Sequence, residues 1–75
     1  MIIKFSLHAR RRAKLYKISE SSVEKIIKDL ELNEGEHEAI KNVSGFRYPL
    51  KIVVAVEGDI MTVITNYSLK KGRGQ

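Results

Sequence analysis

Residues 50–56 are Leu-Lys-Ile-Val-Val-Ala-Val, a run rich in β-branched side chains and apolar on both faces of an extended chain. Such a run is typical of a central β-strand with a neighbouring strand on each side. Residues 57–59 have the composition of a hairpin turn, and a further β-branched segment follows at residues 60–67. The two segments predict an antiparallel hairpin, in which one face of the second strand presents Met61, Val63, Thr65 and Tyr67.

The beginning of the chain predicts a strand followed by a helix. Apolar and polar residues alternate over residues 2–7, which indicates a first strand. Within residues 8–18, Ala9, Ala13 and Tyr16 are spaced i, i+4 and i+7, a pattern that gives a helix a narrow apolar stripe. This first helix is therefore expected to bury small side chains and to expose its many cations.

A second helix has the clearer pattern, over about residues 20–32. Its apolar positions recur at i, i+3, i+4 and i+7. Either Ser19 or Ser21 is suited to cap its start, and Ser21 with Glu24 has the spacing of a capping box. Gly35 is expected to end the helix in the left-handed conformation.

Together these elements predict an α+β fold with the order β-α-α-β-β-β. Residues 36–43 alternate weakly and are expected to form an edge strand. A chain of 75 residues has room for one domain, so residues 1–75 are predicted to be a single unit with two helices packed on an antiparallel sheet. Residues 70–75, Lys-Lys-Gly-Arg-Gly-Gln, are predicted to be a flexible tail.

Charge is distributed unevenly along the chain. Residues 1–17 have a formal charge of +6 and contain no acid, residues 18–40 have −5, and residues 41–75 have +4. If the two ends of the chain meet in the fold, they form a basic face opposite an acidic one. A basic face suggests a polyanion such as RNA as the partner, whereas a Lys/Glu-rich surface of the thermophilic kind is the alternative explanation.

Several classes of function are excluded or disfavoured. The chain has no cysteine, which excludes disulfides and thiolate chemistry and leads us to expect a cytoplasmic protein. No apolar run is long enough for a membrane span. We expect no cofactor, because glycine-rich phosphate loops are missing. We also expect no metal, because neighbouring side chains of the Glu36–His37–Glu38 triplet point to opposite faces of a strand.

The remaining polar residues fit metal-free cleavage of RNA. Such a reaction needs an acid or base, cations for the phosphate and orienting hydroxyl groups. We predict catalytic roles for His8, Arg12, Thr65 and Tyr67, and phosphate binding by Arg11, Arg47 and Lys51. Each of the four catalytic candidates also has a purely structural explanation: His8 as a helix-capping group, Arg12 as a surface residue or the partner of an acid, Thr65 as an ordinary strand residue and Tyr67 as a residue at the rim of the core.

Two motifs extend this prediction. The opening Phe5-Ser6-Leu7-His8-Ala9-Arg10-Arg11-Arg12 and the late segment Val63-Ile64-Thr65-Asn66-Tyr67 resemble a family of small bacterial and archaeal domains of unknown function, whose members begin F-[ST]-x-H-A-x-x-R and end V-x-T-x-Y. The agreement continues at Ile18-Ser19 with Val23, and approximately at Gly45, Leu50, Val53 and Val54. Many members have a second arginine where this chain has Tyr16.

The family looks related to the toxin-like fold of RelE, ParE and BrnT, which is grouped with barnase-like, EndoU-like and colicin-type nucleases. The resemblance implies two N-terminal helices on a curved antiparallel sheet and metal-independent cleavage of RNA by attack of the 2′-hydroxyl. It places the family's histidine and arginine at His8 and Arg12, and its threonine and tyrosine at Thr65 and Tyr67. It also implies a role in a toxin–antitoxin pair or as a polymorphic toxin, and the +6 charge of residues 1–17 leads us to expect that an antitoxin partner would be acidic.

Three functions remain open at the level of the sequence. The first is a toxin-like endoribonuclease. The second is a non-catalytic module that binds RNA or the ribosome through the same basic face. The third is a protein-interaction domain that pairs through the sheet face opposite the helices or through the edge strand at residues 36–43. The chain is expected to be a monomer or a homodimer.

Overall fold

A computed structural model describes residues 2–69, and in this part of the chain it contains two helices and one four-stranded sheet. The predicted α+β class and the order β-α-α-β-β-β are confirmed. The prediction made for residues 70–75 lies outside the described residues. The elements are β1 (Ile2–Phe5), α1 (Leu7–Tyr16), α2 (Glu20–Lys28), β2 (Gly35–Lys41), β3 (Leu50–Glu57) and β4 (Ile60–Ser68).

The sheet has the strand order β1-β4-β3-β2. As predicted, β3 is a central strand and pairs antiparallel with β4 through a tight turn. Strand β2 is the edge strand beside β3, also antiparallel. Strand β1 pairs parallel with β4, so the sheet is mixed rather than antiparallel throughout. A parallel partner requires a long connection, and here the whole of the chain between β1 and β4 supplies it.

A β-bulge in β4 changes which side chains share a face. Val54 pairs with Val63, but the preceding Val53 pairs with Thr65, so Ile64 is an extra residue in β4. The prediction of one continuous face for Met61, Val63, Thr65 and Tyr67 is therefore wrong. The first two are buried beneath the helices, whereas Thr65 and Tyr67 lie on the opposite face, because the extra residue reverses the alternation.

The helices cover one face of the sheet. The buried side chains of β3 are Leu50, Ile52, Val54 and Val56, and they alternate with half-buried residues on the other face. From the helices, Ala9 and Ala13 of α1 and Val23 and Ile27 of α2 join the same core cluster. Because α1 contributes alanines, its backbone can approach the sheet closely. Among the described residues, no helix covers the opposite face of the sheet, apart from the contacts of α1 with the Tyr67 ring near the end of β4.

The second helix is shorter than predicted. Ser19, not Ser21, caps α2, because its hydroxyl accepts a hydrogen bond from the backbone N–H of Ser22 at 3.1 Å. The helix ends at Lys28. Leu30 and Leu32 both pack against the core, and residues two apart share a side in an extended chain but not in a helix. Gly35, with φ +114°, accordingly begins β2 instead of capping α2.

The turn from β1 into α1 depends on Ser6. Its hydroxyl accepts a hydrogen bond from the N–H of Ala9 at 3.0 Å and donates one to the carbonyl oxygen of Ile64 at 2.8 Å, so it caps α1 and fixes the helix to β4. We expect Ser6→Ala to lower the free energy of unfolding by about 1–2 kcal/mol. Denaturant unfolding measures this change.

The control is Ser19→Ala, which removes a solvent-exposed cap without a tertiary contact. It is expected to cost about 0.5–1 kcal/mol, the usual range for an exposed cap. Equal losses for the two variants would show that the hydrogen bond from Ser6 to Ile64 adds nothing to the cap.

Candidate nucleic-acid interface

Helix α1 lies alongside the C-terminal half of β4. Strand β1 pairs with β4 only as far as Val63, and the backbone N–H of Ser6 continues the contact by donating to the carbonyl oxygen of Val63 at 3.0 Å. Farther along, Nδ2 of the fully buried Asn66 donates to the carbonyl oxygen of Ala9 at 3.2 Å. The basic first segment of the chain therefore meets the end of the last strand.

Three side chains meet where α1 runs beside β4. The guanidinium carbon of Arg12 lies 5.9 Å from the centre of the Tyr67 ring, a distance at which a cation is attracted to the aromatic face. The rings of Tyr16 and Tyr67 have their centres 6.5 Å apart and are tilted by 43°. All three residues are half-buried, so their side chains are held while part of each remains accessible.

A second cation reaches this group from β3. Lys51 pairs with Tyr67 across the β3–β4 ladder, and its Nζ lies 3.4 Å from Oε1 of Glu38 on β2. The hydrogen bond and the negative charge of Glu38, and then Tyr67, raise the pKa of the Lys51 ammonium above its usual value. The Lys51 side chain is therefore protonated at neutral pH. We call Arg12, Tyr16, Lys51 and Tyr67 the tyrosine cluster.

The tyrosine cluster combines two kinds of chemistry. A guanidinium and an ammonium can both bind a phosphate, the first through a planar fork of donors and the second as a point charge. Aromatic rings provide surfaces on which unpaired bases stack. Cations beside tyrosine rings are accordingly suited to single-stranded nucleic acid.

The other predicted site residues lie at different places in the fold. Thr65 lies two residues before Tyr67 on the same face of β4. His8 is exposed on α1, four residues and so about one turn before Arg12. Arg11 is also exposed on α1. Arg47 lies in the segment between β2 and β3, with its guanidinium carbon 5.7 Å from the centre of the Tyr48 ring.

Sequence reasoning missed two members of this arrangement. Tyr16 was noted only as part of the apolar stripe of α1 and as a departure from the family pattern, yet it packs beside Tyr67. Its i+4 spacing from Arg12 was the available signal, because residues four apart are neighbours on a helix. Glu38 was considered only as a metal ligand, and its contact with Lys51 depends on the register of β2 against β3, which the sequence does not state.

A groove is present elsewhere, where α2 and the segment after it meet the starts of β1 and β4. Its apolar lining is Ile3, Ile27, Leu30, Leu32 and Met61, and its polar lining includes Glu24, Lys28, Glu31 and Asn33. It shares no residue with the tyrosine cluster. In the groove the charges of Glu24 and Glu31 outweigh that of Lys28, whereas at the tyrosine cluster Arg12 and Lys51 outweigh Glu38, so the groove is the less suited of the two to a phosphate.

Two further observations concern residues 2–69. In this range no group of three or more His, Asp or Glu side chains is arranged to hold a metal ion. None of its helices is both long enough and apolar enough to cross a membrane. Comparisons of the chain with protein-family models, with curated proteins and with solved structures find no match.

Proposed function

We propose that this chain is a small toxin-like endoribonuclease that binds single-stranded RNA at the tyrosine cluster and cleaves it without a metal ion. The main support is the position of Tyr67 between two cations, with Arg12 over its ring and Lys51 as its cross-strand neighbour. That arrangement is suited to a phosphate next to a stacked base.

The proposed reaction uses residues around one phosphate. The 2′-oxygen of the RNA gives its proton to the neutral imidazole of His8 and forms a bond to phosphorus. The bond between phosphorus and the 5′-oxygen breaks, and the 5′-oxygen takes up a proton from solvent. Arg12 and Lys51 stabilise the charge that develops on the phosphate, and Thr65 and Tyr67 position the substrate by hydrogen bonding.

A partner protein belongs to the same proposal. The first 17 residues have a charge of +6, so an acidic protein would be attracted to α1 and would shield the RNA site. Such a partner fits the toxin-like resemblance, in which an antitoxin restrains the nuclease. Arg11 on α1 and Arg47 in the segment before β3 would then bind either the RNA or the acidic partner.

A second candidate function is RNA binding without cleavage. The observation in its favour is the exposure of His8, whose ring has no hydrogen-bond partner within residues 2–69 to orient it. A general base usually has a fixed orientation, whereas Arg12, Lys51 and Tyr67 are already held by their contacts. Binding therefore needs no rearrangement of the described residues, but cleavage needs His8 to be ordered by the substrate.

The test is cleavage of a mixed-sequence single-stranded RNA in the presence of EDTA. We expect the unmodified chain to yield products with 2′,3′-cyclic phosphate ends. His8→Ala should lower the rate by about 100-fold or more, the usual contribution of a general acid or base. Arg12→Ala and Tyr67→Phe should also slow cleavage, and Arg12→Ala should weaken binding as well.

Lys14→Ala is the matched control, since it removes an exposed cation from the same helix and lies outside the tyrosine cluster. It should leave the cleavage rate nearly unchanged. Binding that survives His8→Ala, with no cleavage by the unmodified chain at any concentration, would establish the second candidate. If Arg12→Ala and Lys14→Ala weaken binding equally, the tyrosine cluster is not the binding site.

A further inference from the structure

The sheet face opposite the helices is uncovered among the described residues except at Tyr67, which Arg12 and Tyr16 of α1 contact; we call it the open face. Its centre consists of half-buried side chains from β3 and β4, and two isoleucines at its margins are markedly exposed, Ile2 by 55% and Ile40 by 57%. Side chains on this face are Ile2, Lys4, Glu36, Glu38, Ile40, Lys51, Val53, Ala55, Glu57, Ile60, Thr62, Thr65 and Tyr67.

The two edge strands of the open face have charges of opposite sign, while Lys51 and Glu57 lie on the interior strand β3. Lys4 lies on β1 at one edge, and Glu36 lies on β2 at the other. The registers place both in a single row across the sheet: Lys4 pairs with Thr62, Thr62 with Ala55, and Ala55 with Glu36. The row thus has a cation at one end, the small side chains of Thr62 and Ala55 in the middle, and an anion at the other end.

We propose that a second copy of this chain covers the open face, with the two sheets stacked and related by a two-fold axis parallel to the strands. Such an axis exchanges the two edges of the sheet. It therefore places Lys4 of each copy over Glu36 of the other, which forms two equivalent ion pairs around the apolar centre. A two-fold axis that is parallel to the sheet plane but perpendicular to the strands would place β1 of one copy over β1 of the other, and Lys4 would then not face Glu36.

The area of the open face is small for a stable dimer interface. Four strands about 4.8 Å apart and about 20 Å long offer roughly 400 Å². Stable complexes bury about 800 Å² on each partner. The dimer is therefore reversible and forms with rising protein concentration. Lys51 and Tyr67 lie at one end of this face, so on the proposed function RNA and the second copy compete for that end.

Sedimentation velocity over a concentration series, from about 1 to about 500 μM, tests the dimer on the full chain without RNA. We expect the unmodified chain to convert from monomer to dimer within this range. Lys4→Glu and Glu36→Lys, made singly, should each raise the dissociation constant by about tenfold or more, because each brings like charges together twice. The double variant, with both charges exchanged, should recover most of the affinity.

Matched controls change the same charges away from the open face. Lys25→Glu and Glu24→Lys alter exposed residues of α2 and should leave the dissociation constant nearly unchanged. All five variants leave the tyrosine cluster intact, so failure of RNA binding would not bear on this result. A chain that stays monomeric over the whole series, single variants that match their controls, or a double variant weaker than both singles would each overturn the proposal.

Discussion

Replacing Ile52 with alanine is expected to remove about 2–5 kcal/mol of the free energy of unfolding, the range found for truncating a fully buried isoleucine. Ile52 has no exposed surface and lies in the middle of the central strand, beneath the helices. The cavity left by its side chain would be bounded by β-sheet backbone, which cannot collapse to fill it. A domain this small has little stability in reserve, so the variant should be partly unfolded at room temperature.

Ile40→Ala provides the matched comparison. Ile40 lies on the neighbouring strand β2 and is 57% exposed, so the same truncation there should cost less than about 1 kcal/mol. Urea unfolding at low micromolar protein concentration, followed by circular dichroism, measures both variants in the monomer. Losses of similar size would mean that the helices do not pack on the face of β3 that contains Ile52.

Changing Asn66 to aspartate is expected to destabilise the fold by about 3–5 kcal/mol at neutral pH, although the two side chains have nearly the same shape. Asn66 is fully buried, and its Nδ2 donates to the carbonyl oxygen of Ala9. Its Oδ1 has no hydrogen-bond partner within residues 2–69. A carboxylate at this position would place a buried charge against a carbonyl oxygen, with no donor to compensate it.

The sign of the pH dependence distinguishes this cause from a packing defect. Burial raises the pKa of the new carboxyl group in the folded state above its value in the unfolded chain. The folded state then binds more protons than the unfolded state between the two pKa values, so stability falls as pH rises through that interval. At low pH the protonated group can donate to Ala9, and much of the loss relative to the unmodified chain should disappear.

Asn42→Asp is the control, because Asn42 is exposed and outside regular structure. Its stability should follow that of the unmodified chain across the pH series. A loss at Asn66→Asp that is the same at low and neutral pH would point to altered packing instead of a buried charge.

The sequence predicted the element order because each element has a strong local signal. The β-branched run in β3 and the i, i+3, i+4 pattern of α2 depend only on neighbouring residues. The parallel pairing of β1 with β4 was not predicted, since it joins the two ends of the chain and leaves no local pattern. The end of α2 was placed too late, because Leu30 fits a helical pattern as well as an extended one.

The candidate site was predicted in part for a similar reason. Arg12 and Tyr67 were selected for their chemistry and do lie together, and Lys51 is beside Tyr67. The contribution of Tyr16 depends on how α1 lies against β4, which is a property of the tertiary structure. Glu38 reaches Lys51 only because β2 pairs with β3 in one particular register.

Because of the bulge at Ile64, the face of the sheet on which Tyr67 lies depends on the number of residues in β4. With strict alternation from Met61 and Val63, Tyr67 would point beneath the helices and Asn66 would point outward. One additional residue reverses this assignment for the last part of β4 and for nothing before it. Substitutions before the bulge keep the number of residues in β4 and therefore leave Tyr67 on the open face. Deletion of one residue near position 64 would instead turn the buried side chains of the rest of the strand outward and the outward ones inward.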